Sequence, residues 1–298
     1  MTKHIPVLLH ECIDALAIEA DSVIVDATLG SGGHAAAIIE RLHADGTYIG
    51  IDIDPIATHT AKERFKDAAP TTHFITGNFA ELDSHLANLG LPLVNGVLAD
   101  LGWRIEQFQG TGKGFSFLSD EPLLMTLGEP DQYLFTASDV VNDWDESDIA
   151  NVIYAYGEER YARRIAKAIV SERARQPIKT GKQLGEIVAT AVPKSAHYSK
   201  IHPATKTFQA LRIAVNDELK KLETFIHQAF IHLAPQGRLA IISFHSLEDR
   251  IVKHSFRELK ETDTATLITK KPIIPVREET THNPRARSAK LRVIEKNA

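Results

Sequence analysis

The 298 residues carry a net charge of −5, with 43% hydrophobic and 24% charged side chains, an ordinary globular composition with room for one large domain or two modest ones. No run of eighteen apolar residues exists and the opening Met1–Pro6 has no long apolar segment, so the expectation is a cytosolic protein without a membrane helix or signal peptide. The single cysteine, Cys12, cannot form an internal disulfide, and the 14 histidines lack metal-ligand spacing; no metal site is expected, and Cys12 is assigned to the buried face of a helix over Val7–Leu16.

The first strong signal is the apolar run Val23–Asp26, which opens into Gly30-Ser31-Gly32-Gly33-His34 and a helix-like stretch from Ala35 to Leu42. A buried strand, a tight glycine turn and a helix form a site where the backbone can approach a ligand closely. A second run, Tyr48–Ile51, ends at Asp52, 22 residues beyond Gly30, where a carboxylate could accept from a ribose. Together these predict an adenosine ligand across the carboxyl edge of a parallel sheet. By itself the glycine pattern also admits a dinucleotide and hence a nucleotide-dependent oxidoreductase.

Further along, Pro55–Phe65 reads as a helix, Thr72–Thr76 as a strand, Leu82–Leu89 as a helix and Val94–Asp100 as a fourth strand. Phe79 follows the third strand, where its ring could flank an adenine. Three of these four strands end in Asp26, Asp52 and Asp100, which places acids at the edge where a doubly wound sheet binds ligands.

From Leu101 to Phe117 the glycine-rich sequence predicts a loop over the site. Helical patterns then run over 137–141, 146–156, 159–173 and 180–192, and a single long helix is expected over Gln209–Leu233, closed by Gly237. Arg238–Phe244 reads as a fifth strand followed by a polar corner at His245–Asp249, and the tail suits a last strand with a cationic approach. Charge is unevenly spread. Residues 1–159 hold 7 Lys/Arg against 26 Asp/Glu (net −19), residues 160–298 hold 27 against 13 (net +14), and the positive half could meet phosphate.

Several stretches together resemble the bacterial small-subunit (16S) ribosomal RNA cytosine-N4 methyltransferases: His4–Leu8, Asp26–His34, Ile51–Pro55, Gly77-Asn78-Phe79, Asp100-Leu101-Gly102, Gly114–Phe117, Tyr156–Arg160, Ile201–Glu218, Ser243–Arg250 and Asn283–Val293. The resemblance spans nearly the whole chain. It implies a Rossmann-like class I methyltransferase, an α/β fold with a mostly parallel, doubly wound sheet, interrupted by an all-helical substrate-recognition insert. The expected division is 1–107 and 206–298 for the methyltransferase domain and 108–205 for the loop and insert. The implied cofactor is S-adenosyl-L-methionine, held by Gly32, Gly33, His34, Asp52, Phe79, Asp100 and Gln107. The implied partners are 16S rRNA and the small ribosomal subunit, at its decoding region, and a second copy of the chain.

Asp100 is the expected catalytic acceptor for the cytosine amine. Trp103, in the glycine-rich loop, is a candidate stacking partner for an unstacked base. Arg163, Arg164, Lys167, Lys200, Lys206, Arg285 and Arg287 are expected on RNA phosphates. Two departures stand out. Trp103–Glu106 replaces the family's usual Val-Ser-Ser-Pro ahead of Gln107, and Leu124 and Thr126 stand where the family usually has Asp and Arg. These changes open the reading of a cofactor-binding but weakly active RNA-binding or assembly factor.

Overall fold

The computed structural model describes residues 5–102, 112–193 and 202–298. The chain divides into two compact units, one comprising residues 1–102 and 219–298, the other residues 103–218.

In the first unit the described residues form a seven-stranded sheet from β1 (Val23–Asp26), β2 (Thr47–Asp52), β3 (Thr71–Thr76), β4 (Val94–Asp100), β5 (Leu233–Ser243), β6 (Ala265–Leu267) and β7 (Lys290–Lys296). Its order is β3-β2-β1-β4-β5-β7-β6. The first five run parallel, while β7 and β6 close one edge antiparallel. The order reverses at β1, the switch point where such sheets bind ligands. The short β6 has no apolar run to announce it and was missed in the sequence.

The central strands are buried on both faces, which is why they read as unbroken apolar runs. Side-chain alternation divides them between two cores. Val25, Ile49, Ile51, Val97, Ala99 and Ile241 face α4 (Leu82–Leu89), α10 (Glu218–His232) and α11 (Ser246–Glu261) through Leu86, Phe225, Ile226, Val252 and Phe256. Ile24, Tyr48, Leu98, Ala240 and Ile242 face α1 (Leu9–Leu16), α2 (Gly33–Arg41) and α3 (Pro55–Arg64). Cys12 is wholly buried in this second core, and burial raises its thiol well above the usual range. It is a packing residue, as its helix position predicted.

The second unit is built from α5 (Ala137–Asp143), α6 (Glu146–Gly157), α7 (Ala162–Arg173), α8 (Gly181–Ala191) and α9 (Thr205–Asn216) around one apolar core that includes Ile149, Ile153, Ile165, Ile169, Leu184 and Phe208. Thr136 and Thr180 start α5 and α8 with reciprocal capping boxes to Asp139 and Gln183. Gly157 lets α6 and α9 touch: a Cβ there would lie 2.6 Å from the Lys206 carbonyl.

The single helix expected over 209–233 is two. Asp217 takes a left-handed φ of 50° and ends α9, Arg212 clamps Glu218 through two bonds of 2.8 and 2.9 Å, and α10 starts anew. The helix α9 falls in the second unit and the return to the first comes after Glu218. Gly237 lies inside β5 rather than closing a helix, because α10 already ends at His232.

Candidate active site

Strand register explains the site. Asp26 lies level with Gly50 and Leu98, so β2 and β4 run two residues beyond β1 and leave a notch above it. The glycine turn fills that notch, with Ala27 N–H donating to the Leu98 carbonyl and Leu29 N–H to that of Ile51. Asp52 and Asp100 therefore stand at the edge, while Asp26 is buried beneath them at 1% exposure. The expectation of three edge carboxylates holds for two.

Asp26 accepts hydrogen bonds from the Tyr48 hydroxyl at 3.1 Å and the Thr28 N–H at 3.2 Å. Burial nevertheless pushes its carboxyl up to about 6, against the opposing pull of His34 and these two donors. It is an acid under the turn, out of reach of a ligand at the edge.

Asp52 accepts from Gly30 N–H at 2.7 Å through one oxygen and from Asp54 N–H at 2.9 Å through the other. The second strand thus fixes the turn that follows the first. Gly30 and Gly32 have φ of 55° and 73°, where a side chain would be strained. Arg64 fastens the turn from outside, its guanidinium donating to the carbonyls of Ser31 and Gly32 at 3.2 Å each. Gly33 starts α2 against Pro6, whose Cγ would lie 3.0 Å from an added Cβ.

Phe79 begins a short 3₁₀ turn (Phe79–Glu81) capped by Asn78, and its half-buried ring meets Phe225 edge-on at 5.0 Å. That contact holds the ring at the end of β3, the edge where the sequence expected it.

Asp100 is held on every side. Its N–H donates to Thr28 Oγ1 at 2.6 Å, and its Oδ1 accepts from Gly102 N–H at 3.1 Å. Its Oδ2 faces His34 Nδ1 at 4.0 Å, an ion-pair rather than a hydrogen-bond distance. His34 in turn donates from Nε2 to the Val7 carbonyl at 3.0 Å. A carbonyl can only accept, so Nε2 carries a proton, and Nδ1 is the ring nitrogen turned toward Asp100. Burial raises the Asp100 carboxyl above its ordinary value, His34, the Gly102 N–H and Arg285 oppose that shift, and Glu248 adds to it.

Glu248 belongs to the corner after β5. Its Oε2 accepts from the N–H groups of Phe244 and His245 at 2.8 and 3.2 Å, while the Phe244 ring would meet a Cβ on Gly102 at 2.8 Å. The two tails of the unit also meet nearby. Glu279 accepts from Leu8 N–H at 2.8 Å and Asn283 donates to the Ile5 carbonyl at 3.1 Å.

Gln107, Trp103 and Lys200 lie outside the described residues. Arg163, Arg164 and Lys167 are exposed on α7, and Arg287 is exposed in the 3₁₀ segment Pro284–Ser288, where Arg285 is half-buried. Lys206 donates to the Glu158 carbonyl at 2.9 Å, closing the C-terminus of α6. Among the described residues no group of three or more His, Cys, Asp or Glu is arranged to hold a metal, and no helix is long and apolar enough to cross a membrane.

Thr28, Val7, Arg285 and Glu248 are the residues that sequence reasoning left out of the Asp100 surroundings. For Thr28 the signal was present, a hydroxyl inside the glycine turn; the Val7 carbonyl carries none.

A sequence model of the MraW methylase family matches residues 1–297. The chain belongs to that family. Among curated relatives it is similar to proteins named ribosomal RNA small subunit methyltransferase H. With that of Clostridioides difficile it shares 43% identity, covering 98% of each chain. With that of Trichormus variabilis it shares 44%, covering 99% of this chain and 92% of the relative, and with that of Synechococcus elongatus 45%, covering 98% and 94%.

As a member of the MraW methylase family the protein is a methyltransferase, with the expected Rossmann-like class I fold, and its cofactor is S-adenosylmethionine. The dinucleotide reading that the glycine pattern left open is set aside. The site suits that cofactor: a turn whose glycines leave backbone uncovered, carboxylates at the ends of β2 and β4, and a fixed aromatic ring at the end of β3.

Proposed function

We propose that this MraW-family chain methylates the N4 amine of a cytidine in small-subunit ribosomal RNA, at the decoding region. The substrate class follows the printed name shared by its relatives. The observation that carries the chemistry is Asp100, a carboxylate at a strand end with its backbone and one oxygen anchored.

Cytosine's exocyclic amine is a poor nucleophile, because its lone pair is delocalised into the ring. Catalysis therefore rests on aligning it with the methyl donor and accepting a hydrogen bond from it. In this reading Asp100 accepts from the amine and takes the proton released on transfer. Asp52 accepts from the ribose diol of the cofactor, the Phe79 ring flanks its adenine, and the backbone of Gly32 and Gly33 with His34 lines its methionine end. Gln107 completes the cofactor set and Trp103 stacks on the base. Bound S-adenosylmethionine supplies an electrophilic methyl group.

Arg163, Arg164, Lys167, Lys200, Arg285 and Arg287 contact RNA phosphates, and Lys206 shares its donors between such a contact and the Glu158 carbonyl. The protein acts in the cytoplasm on rRNA or the small subunit, as a homodimer whose methyltransferase domain is interrupted by the helical insert.

A second reading rests on Thr126. Its side chain is fully buried and its hydroxyl has no partner among the described residues, at a position where the resembled family usually carries Arg. Such a site suits a protein that holds cofactor and RNA while transferring slowly.

The deciding experiment is transfer of labelled methyl from S-adenosylmethionine to small subunits from a strain lacking the enzyme, with the product nucleoside identified by mass spectrometry. N4-methylcytidine at one site is the expected product. Cofactor binding without transfer in a single turnover would replace this reading by the second.

A further inference from the structure

The carboxylate assigned to catalysis sits where a carboxylate is hard to keep ionised. Asp100 has a side-chain exposure of 15% and shares its surroundings with other acids. Glu248 on α11 acts on it unfavourably, and Asp100 itself opposes the ionisation of Asp26 beneath the turn. Cys12 on α1 feels both Asp100 and Asp26 and stays a neutral thiol, while Tyr48 on β2 spends its proton on Asp26. Two positive or ionisable groups oppose this: Arg285, from the segment before β7, and His34 on α2.

His34 is locked. Its Nε2 is committed to the Val7 carbonyl at 3.0 Å, and its side chain is 7% exposed, so the ring cannot turn without leaving that buried acceptor unpaired. The other nitrogen is thereby held 4.0 Å from Asp100 Oδ2, within the range where a positive group favours an anion. The carboxylate's second oxygen is at the same time tied to Gly102 N–H. The arrangement leaves Asp100 neither free to rotate nor free of its imidazole neighbour.

We propose that His34 is a positioning residue for Asp100, its ring locked by the Val7 carbonyl so that a proton carried on Nδ1 faces the neighbouring carboxylate and keeps it an ionised, correctly turned proton acceptor. The role rests on the reading of Asp100 given above. In the step it serves, the amine nitrogen forms a bond to the methyl carbon, the carbon–sulfur bond breaks with its electron pair passing to sulfur, and the amine proton passes to the Asp100 carboxylate. A carboxyl group already protonated cannot take that proton.

The test follows the Asp100 carboxyl directly, by carbon-13 NMR titration of free protein, in the wild type and in His34→Gln. Glutamine can still donate to the Val7 carbonyl but cannot become a cation. Asp100 in the variant is expected to titrate about one pH unit higher, and the acid limb of the single-turnover transfer rate at saturating cofactor is expected to move by the same amount. Asp100→Asn supplies a second arm, independent of whether His34→Gln folds: at one fixed pH the nitrogen-15 shift of His34 Nδ1 should move once the facing carboxylate is gone, while that of Nε2, held by the Val7 carbonyl, should not. An unchanged Asp100 midpoint in His34→Gln, or an unchanged Nδ1 shift in Asp100→Asn, would overturn the proposal. Full transfer by Asp100→Asn would instead overturn the catalytic reading of Asp100, while both measurements would still report on the pair.

Discussion

The Thr28 hydroxyl accepts a hydrogen bond from the Asp100 N–H at 2.6 Å, so the glycine turn after β1 and the acidic end of β4 are one structure. Thr28→Val keeps the shape and removes the acceptor, leaving an amide without its partner. The expected loss is about 1–2 kcal/mol of stability, read by urea unfolding, together with slower methyl transfer because Asp100 loses its anchor. A variant with wild-type unfolding and wild-type rate would show that the bond is incidental.

Asp26 gives a pH signature. Its folded carboxyl sits at about 6 against an ordinary 3.8, so the folded state holds this proton more tightly than the unfolded chain. Stability from this group is therefore complete below about pH 4 and is lost as pH rises toward 6, at a cost on the order of 2–3 kcal/mol. Asp26→Asn removes the ionisation, and its amide can still serve the Thr28 N–H and the Tyr48 hydroxyl. Relative to wild type it should be more stable at pH 8 than at pH 4, a comparison that chemical denaturation at the two pH values makes directly.

Asp52 fixes the turn and, under the proposed function, serves the ligand edge. Asp52→Ala strips the acceptor from Gly30 N–H and Asp54 N–H and removes the carboxylate assigned to the ribose. Calorimetric titration with S-adenosylmethionine should show affinity falling by about tenfold to a hundredfold, the equivalent of one or two lost hydrogen bonds to a charged group.

Between α11 and β7, Asp249 receives Arg292 at 2.7 Å and Lys290 at 2.9 Å. Burial works to raise its carboxyl, but these partners outweigh burial and hold it below the usual range. The stability it confers is present above its ordinary titration range and disappears as acid protonates it in the folded state. Asp249→Asn should flatten the acid end of the stability–pH curve below about pH 4 while costing stability at pH 7.

Under the proposed function the exposed cations of α7 contact RNA. Replacing Arg163, Arg164 and Lys167 with Gln together should lower the slope of log affinity against log salt by roughly 2, without altering cofactor affinity. An unchanged slope would remove α7 from the RNA interface.

Periodicity made most of the fold legible. Val94–Asp100 and Leu82–Leu89 occur as expected because buried parallel strands and short amphipathic helices write their burial into adjacent residues. The break at Asp217 was invisible, since apolar spacing continues across it and only the Arg212–Glu218 clamp and a left-handed residue divide the helix. β6 was missed because three residues pairing with β7 at an edge need no apolar pattern.

The site divides along the same line. Glycines and strand-terminal acids locate a ligand edge from sequence, because a tight turn demands glycine and a strand end exposes its last side chain. Which acids reach that edge depended on strand register: β2 and β4 outrun β1 by two residues, which lifts Asp52 and Asp100 into reach and buries Asp26. The partners of Asp100 come from Thr28, His34, Gly102, Glu248 and Arg285, scattered along the chain, and one of the decisive groups is the main-chain carbonyl of Val7. The local sequence by itself determined the elements and the kind of edge they build, since both follow from short-range sterics and burial. Only the tertiary structure decided the charge environment of that edge, because electrostatic coupling depends on through-space distance between groups that the chain keeps far apart.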